Sequence, residues 1–282
     1  TTAGVIYGSP YIDASDSDVS ELNAERVSVN ITVDFTNDTF RLISPYVKIR
    51  ELSSPSTTET YSISPSFNYT RSQQGFEDVN AYYHIYVFQQ YMQSLGFTNL
   101  ANYQVGVDAH ALNGADQSIF QSGNILPGEG GVDDAEDADV IIHEYGHAIL
   151  ASAAPGTWSG FERQALEEGV CDYLAVSYSR DINPFNWQNV FSWDGHNPFW
   201  SGRTAASNKL YPADLGFSIH LAGEIWSSAL MQIWEDIGRT TTDRILLQSL
   251  YSYAAGMTMT DAALLFIEAD SALNGGTNYI QS

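Results

Sequence analysis

VIIHEYGHAIL, residues 140–150, is the stretch on which the reading of this chain turns. It is apolar apart from His143, Glu144 and His147 and contains no proline, the pattern of a buried helix. His143 and His147 are four residues apart, so on a helix the two imidazoles share one face, a turn from each other. Two rings so placed can reach one tetrahedral zinc, which takes nitrogen at about 2.0–2.1 Å. Glu144, one step round the helix, sits close to such an ion without facing it, where a base can take a proton from water. An accidental histidine pair on a buried face would instead leave imidazoles without hydrogen-bond partners, which is costly. Gly146 in the helix interior points to the close approach of another backbone.

A catalytic zinc needs a third protein ligand. A third histidine six residues past the second is excluded, because Leu150 and Ala153 occupy the positions of its turn glycine and its ring. ALEEGVCDYLAVSYS (165–179) reads as a helix and offers Glu167, Glu168 and Asp172. Glu168 and Asp172 face the same way, so one can bind the metal while the other receives the outer N–H of a ligand histidine. Glu167, about a third of a helical turn away, is expected to point elsewhere. Cys171 is the single cysteine; no intrachain disulfide can form, and the thiol is expected to pack as a small hydrophobe.

HEYGH followed in the next helix by E-G-x-x-D resembles the Glu-zincin metallopeptidases, nearest the fungalysin branch, with the thermolysin-like enzymes as the wider group. FSIHLAGEIWSSAL (217–230) is similar to the family's H-x-x-G-E-x-W helix, DVNAYYHIYVFQQYMQSLGF (78–97) to its long N-terminal helix, and VDAHALNGADQSIF (107–120) to its substrate-binding edge strand. The resemblance implies an α+β, two-lobed thermolysin-like fold. A β-rich N-terminal lobe (1–150) would carry the edge strand and the zinc helix, and a mainly helical lobe (151–282) the third ligand. It implies a secreted zinc endopeptidase acting on polypeptides. Residue by residue, His143, His147 and Glu168 bind zinc, Glu144 is the base, Asp172 orients His143, and His220 stabilises the transition state. Ala109 lies on the edge strand beside substrate. Asp139 matches a calcium position, and VDDAEDAD (132–139) could add oxygen ligands of the kind calcium takes; as a solvated helix start it would need no ion. Counted from His147, the family spacing selects Glu167 as third ligand; the E-x-x-x-D phase selects Glu168 and is preferred, because a loop varies in length and a helix face does not. The family's proton-donor tyrosine falls on Trp158. Asp214 is the nearest acidic partner for His220, or simply closes a turn, and Arg203 is left between a substrate contact and an ion pair.

Further out, composition narrows the field. Among 282 residues, 34 Asp and Glu face 11 Lys and Arg, a net charge of −23. Phosphate backbones and anionic lipid would be repelled, which argues against nucleic-acid and membrane-surface partners. No apolar run is long enough to span a bilayer. The opening TTAGVIYGSP lacks a basic and an apolar targeting region, so the chain reads as cytosolic or as a mature form after loss of a signal and pro-region. Residues 1–75 read as sheet, with VSVNITVDF (27–35) placing Val27, Val29, Ile31, Val33 and Phe35 on one face of a single strand. Helices are expected over 77–96, 137–153, 161–179, 217–237, 241–255 and 260–273, the last capped at Thr260-Asp261. A zinc aminopeptidase of related architecture would carry a G-x-M-E-N motif, which is missing; a non-catalytic module keeping the fold would show a damaged base or ligand. There is no G-x-S-x-G elbow for serine chemistry. Nothing in the sequence sets the oligomeric state.

Overall fold

The computed structural model describes residues 1–7, 17–276 and 278. In chain order the strands are β1 (Thr2–Val5), β2 (Val27–Asn30), β3 (Asp34–Thr36), β4 (Thr39–Arg41), β5 (Val47–Ile49), β6 (Tyr61–Ser62), β7 (Ser66–Phe67), β8 (Val105–Val107), β9 (Ser118–Gln121), β10 (Asn124–Pro127), β11 (Asn189–Val190) and β12 (Arg203–Thr204). The helices are α1 (Ser20–Glu25), α2 (Gly75–Ser94), α3 (Ala138–Ala153), α4 (Phe161–Arg180), α5 (Ile219–Ile237), α6 (Arg239–Leu250) and α7 (Met259–Asn274). The class is mixed α+β: small sheets gather in the first half and long helices fill the second. The main apolar core joins them, running from Ala3 in β1 through Phe88 of α2, Ile142 and Ile149 of α3 and Leu174 of α4 to Leu230 of α5 and Leu246 of α6. No helix among the described residues is long and apolar enough to cross a membrane.

The sheet that matters for the site has the order β5-β8-β10-β9. β5 and β10 flank β8 in parallel, and β9 folds back antiparallel on β10 with Gln121 opposite Asn124. The two linking residues, Ser122 and Gly123, both have positive φ, the requirement of a tight hairpin turn whose twist matches the strands. Among the described residues β9 therefore ends the sheet, with one edge unpaired, and it packs against α3.

The long helices form where the apolar period places them. α2 stops before Gly96, whose φ of 99° is a conformation glycine enters at least cost. α7 is capped two residues earlier than expected: Thr258 caps it, with Asp261 accepting in return from the Thr258 N–H. The greater departure is at 27–35, which is two strands in two sheets. β2 pairs with β1, whereas Asn37-Asp38, both at positive φ, turns β3 back onto β4. That tight turn claims β3 for a separate hairpin, so Val27 and Phe35 do not share a face and both are exposed.

Candidate metal centre and active site

Three helices cross here at distances only glycine permits. A Cβ on Gly146 of α3 would lie 2.8 Å from the Cys171 Sγ and 3.0 Å from its Cα, so the close approach implied by that glycine is to α4. At the next crossing a Cβ on Gly169 of α4 would meet the Gly223 carbonyl oxygen at 2.5 Å, and one on Gly223 of α5 would meet the Gly169 nitrogen at 2.8 Å. The glycine of E-E-G and that of H-x-x-G are thus one contact seen from two sides. It brings Glu168 and His220, each next to or one turn from its glycine, within reach of each other.

The inner nitrogens of both α3 histidines face the Glu168 carboxylate. His143 Nε2 is 3.3 Å from Glu168 Oε2, and His147 Nε2 is 3.9 Å from Oε1. Each outer nitrogen lies against a carboxylate, which can only accept, so Nδ1 carries a hydrogen, and a cation taking the place of the Nε2 proton would find Nε2 free to coordinate. His143 Nδ1 donates to Asp172 Oδ1 at 2.8 Å, and His147 Nδ1 to Glu167 Oε1 at 3.0 Å. Glu168 Oε2 is buried without a hydrogen-bond partner among the described residues. Two ligand atoms bound tetrahedrally at about 2.0–2.1 Å are about 3.3–3.4 Å apart, close to the 3.3 Å between His143 Nε2 and Glu168 Oε2. The donor set fits a zinc-like cation. Burial opposes ionisation of Glu168, but the adjacent imidazole of His143, with those of His147 and His220, holds the carboxyl down at about 2. Burial likewise disfavours a charged His143, yet Asp172 and Glu168 lift it to about 9.

Behind each histidine stands a carboxylate and behind that an arginine. Asp172 is gripped by Arg203 of β12 through Nε at 2.8 Å and Nη2 at 2.7 Å, and the guanidinium lies over the rings of Phe191 and Trp200. Arg203 is therefore a buried partner of Asp172. Glu167 accepts from Arg163 Nη1 at 2.7 Å; the same guanidinium donates through Nη2 to Thr157 Oγ1 and lies over Tyr253. The expectation that Glu167 points away is corrected: α4 packs closely on α3, and the residue one step round from Glu168 meets the far nitrogen of His147. The i, i+4 spacing of Arg163 and Glu167 was the available signal. Cys171 can approach both histidines. Its Sγ is packed against Gly146 in the seam between the helices, and burial together with four nearby carboxylates pushes the free thiol well up, so the open donor facing both inner nitrogens is the Glu168 carboxylate.

Two adjoining cavities open over this centre. One is lined by His143, Glu144, Phe191, Arg203, His220 and a group of aspartates; the other by Ser118–Phe120 of β9, Glu144, His147, Trp158 and Glu168. Glu144 and His220 line both. The His220 ring is half-exposed, its Nε2 3.5 Å from Glu168 Oε2, and burial lowers its pKa. Its acidic neighbour is thus Glu168; Asp214 instead accepts from the Leu210 N–H and closes a turn. No tyrosine lines either cavity among the described residues, and Trp158 stands edge-on to His147. Val140 is a wall of the first cavity.

Ala109 does not join the site. It is buried beyond the end of β8 and lines neither cavity; the free edge facing the cleft belongs to β9, because the chain between them turns back at 112–114 through three positive φ angles. Asp139 is also buried, in the first turn of α3, where Oδ2 accepts from the Phe191 N–H. Burial and then Asp137 push its carboxyl up to about 8. It belongs to none of the groups of three or more potential ligands found among the described residues. The acidic run sends Asp134 into the cleft instead, beside Asp116 and Asp194. Burial and mutual repulsion push Asp134 up to about 8 and Asp194 up to about 9. Asp194 is held there by α3's own cap, since Asp137 accepts from the N–H groups of Asp139, Trp193 and Asp194.

With this geometry in place, comparison with solved structures returns a metalloproteinase fold. The chain is similar to the precursor of protealysin, a metalloproteinase from Serratia proteamaculans, at 11% identity over 68% of this chain and 72% of that chain, with a TM-score of 0.54. At that identity the likeness is one of fold. No family model and no curated protein sequence matches the chain.

Proposed function

We propose that this chain is a zinc-dependent endopeptidase that hydrolyses peptide bonds in extended polypeptides and acts outside the cell, its two halves, 1–150 and 151–282, flanking the cleft. The observation that carries the reading is the meeting of His143 Nε2 and His147 Nε2 on a buried Glu168 carboxylate with an unpartnered oxygen, in cavities shared with Glu144 and His220. His143, His147 and Glu168 would hold the metal, and zinc bound there supplies the Lewis acidity for carbonyl hydrolysis. Glu144 accepts the proton of the attacking water and hands it to the leaving amine. His220 donates an N–H to the oxygen that gains charge as the carbonyl becomes tetrahedral. Asp172 and Glu167 keep both imidazoles in the coordinating tautomer. The free edge of β9 pairs with substrate main chain, a mode that reads backbone before side chains.

The test combines metal analysis with digestion of an unfolded, N-terminally acetylated protein. We expect about one zinc per chain, cleavage abolished by a chelator and restored by zinc, and a Glu144→Gln rate at least about 100-fold lower with zinc retained. Failure of the zinc-replete, folded protein to cleave, or full activity of Glu144→Gln, would overturn the reading. Cleavage confined to free N-termini would make it an aminopeptidase.

A further inference from the structure

The cavity of about 240 Å³ beside His143 and Glu144 has a floor of three carboxylates with no ion pair to a lysine or arginine among the described residues. Oxygens of Asp116, Asp134 and Asp194 all lie within 4.8 Å of one another. Asp134 Oδ2 accepts from Ser118 Oγ, but its Oδ1 is buried without a partner. The Asp194 carboxylate belongs to a residue only 6% exposed, and no hydrogen bond reaches it from a described residue. The largest charges acting on it are Asp134, Asp137, Asp116 and Asp133, all of its own sign. Arg203, in the same cavity, has its guanidinium committed to Asp172. A buried carboxylate surrounded by its own kind is expensive unless a cation arrives.

The cluster is built rather than accidental. Gly128 and Gly130 let the chain at 115–117 pack directly on the loop ahead of α3: a Cβ at Gly128 would fall 2.0 Å from the Ala115 oxygen, and one at Gly130 2.3 Å from the Asp116 nitrogen. Asp194 is pinned from the other side by Asp137. The wall opposite is Phe191, Phe199 and Trp200. A metal such as calcium takes six to eight oxygens and gains nothing from aromatic rings. A lysine or arginine side chain matches both surfaces, its methylene stem and cation against the rings and its N–H groups on the carboxylates.

The geometry points to a specificity pocket: Asp116, Asp134 and Asp194, with Phe199 and Trp200, receive a lysine or arginine side chain of the substrate residue adjoining the scissile bond. This rests on the peptidase reading above, because Glu144 in the same cavity fixes where the bond is cut.

The test is cleavage-site mapping with the zinc-loaded protein on a peptide library of mixed sequence. Lysine and arginine should be enriched at one fixed position next to the cut bond. Asp194→Asn and Asp116→Asn should each lower kcat/KM for such substrates by at least about tenfold, while norleucine substrates change by less than about threefold. Asp116 is exposed, so its variant should fold whether or not Asp194→Asn does. Absence of any cleavage would overturn the peptidase reading and the pocket with it. Cleavage indifferent to lysine and arginine, or a preference that neither variant moves, would overturn the pocket alone. Calcium binding lost in Asp194→Asn, alongside cleavage indifferent to basic residues, would reassign the cluster to a divalent cation and likewise overturn it.

Discussion

The cleft has two acidic ends, and they are built on opposite plans. At the histidine end the carboxylates face positive or N–H-bearing neighbours: Asp172 is held by His143 and Arg203, Glu167 by His147 and Arg163, and Glu168 faces the two inner nitrogens. At the aspartate end, three carboxylates face one another with one serine hydroxyl between them. The first arrangement fixes geometry before any ligand arrives; in the second, Asp134 and Asp194 escape mutual repulsion by holding protons that an arriving cation would displace. Burial alone does not separate them, since both sets are sealed from solvent except for Asp116. What differs is the sign of the neighbours.

The sharpest way to break that contrast is His220→Ala. Loss of one oxyanion donor should cut kcat by about 100- to 1,000-fold with zinc content unchanged, whereas Asp194→Asn should leave kcat on a norleucine substrate nearly as it was. Steady-state kinetics with metal analysis decides, and equal damage from both would erase the division of labour. A smaller effect tests the paired relays behind the histidines. Glu167→Gln and Asp172→Asn should each weaken zinc binding by about 10- to 100-fold in a chelator competition. If only Asp172→Asn does so, the Arg163–Glu167 arm is packing and no more.

The smallest effect is in pH. Asp134 and Asp194, raised to about 8 and about 9 from 3.8, keep protons in the folded chain through a range where the unfolded chain has lost them. More protons bound folded than unfolded means stability falls as pH rises from about 4 to about 9. His143, raised to about 9, adds to the fall above its ordinary 6.5. Glu168, lowered to about 2, has the opposite slope, confined to pH below about 4.5. Thermal midpoints of the metal-free protein should therefore decline between pH 5 and 9, and Asp194→Asn should flatten the decline. A rising midpoint across that interval would contradict the assigned shifts.

Helix-borne features were legible because a helix fixes which side chains share a face. His143 with His147, and Glu168 with Asp172, follow from spacing alone, and Gly146 signalled a close neighbour before the neighbour was known. Glu167 was misplaced because spacing on one helix says nothing about the angle at which the next one crosses. Strand-borne features fared worse for a related reason: alternation in 27–35 is satisfied as well by two short strands as by one, and only the Asn37-Asp38 turn breaks the tie. Ala109 gave way to β9 because edge status depends on which strands pair, a property no single segment carries. Asp116 and Asp194 stood beyond reach altogether, since loops far apart in the chain bring them together with no shared pattern.

Cys171 offers an unplanned instrument. Its sulfur is sealed in the seam between α3 and α4 and held in the unreactive thiol form. A thiol-modifying reagent can therefore touch the folded chain only while those two helices are parted, so labelling kinetics would count the opening events of the seam one molecule at a time. Tightening of that seam by zinc would appear directly as slower labelling, with no probe to install and no second cysteine to mask.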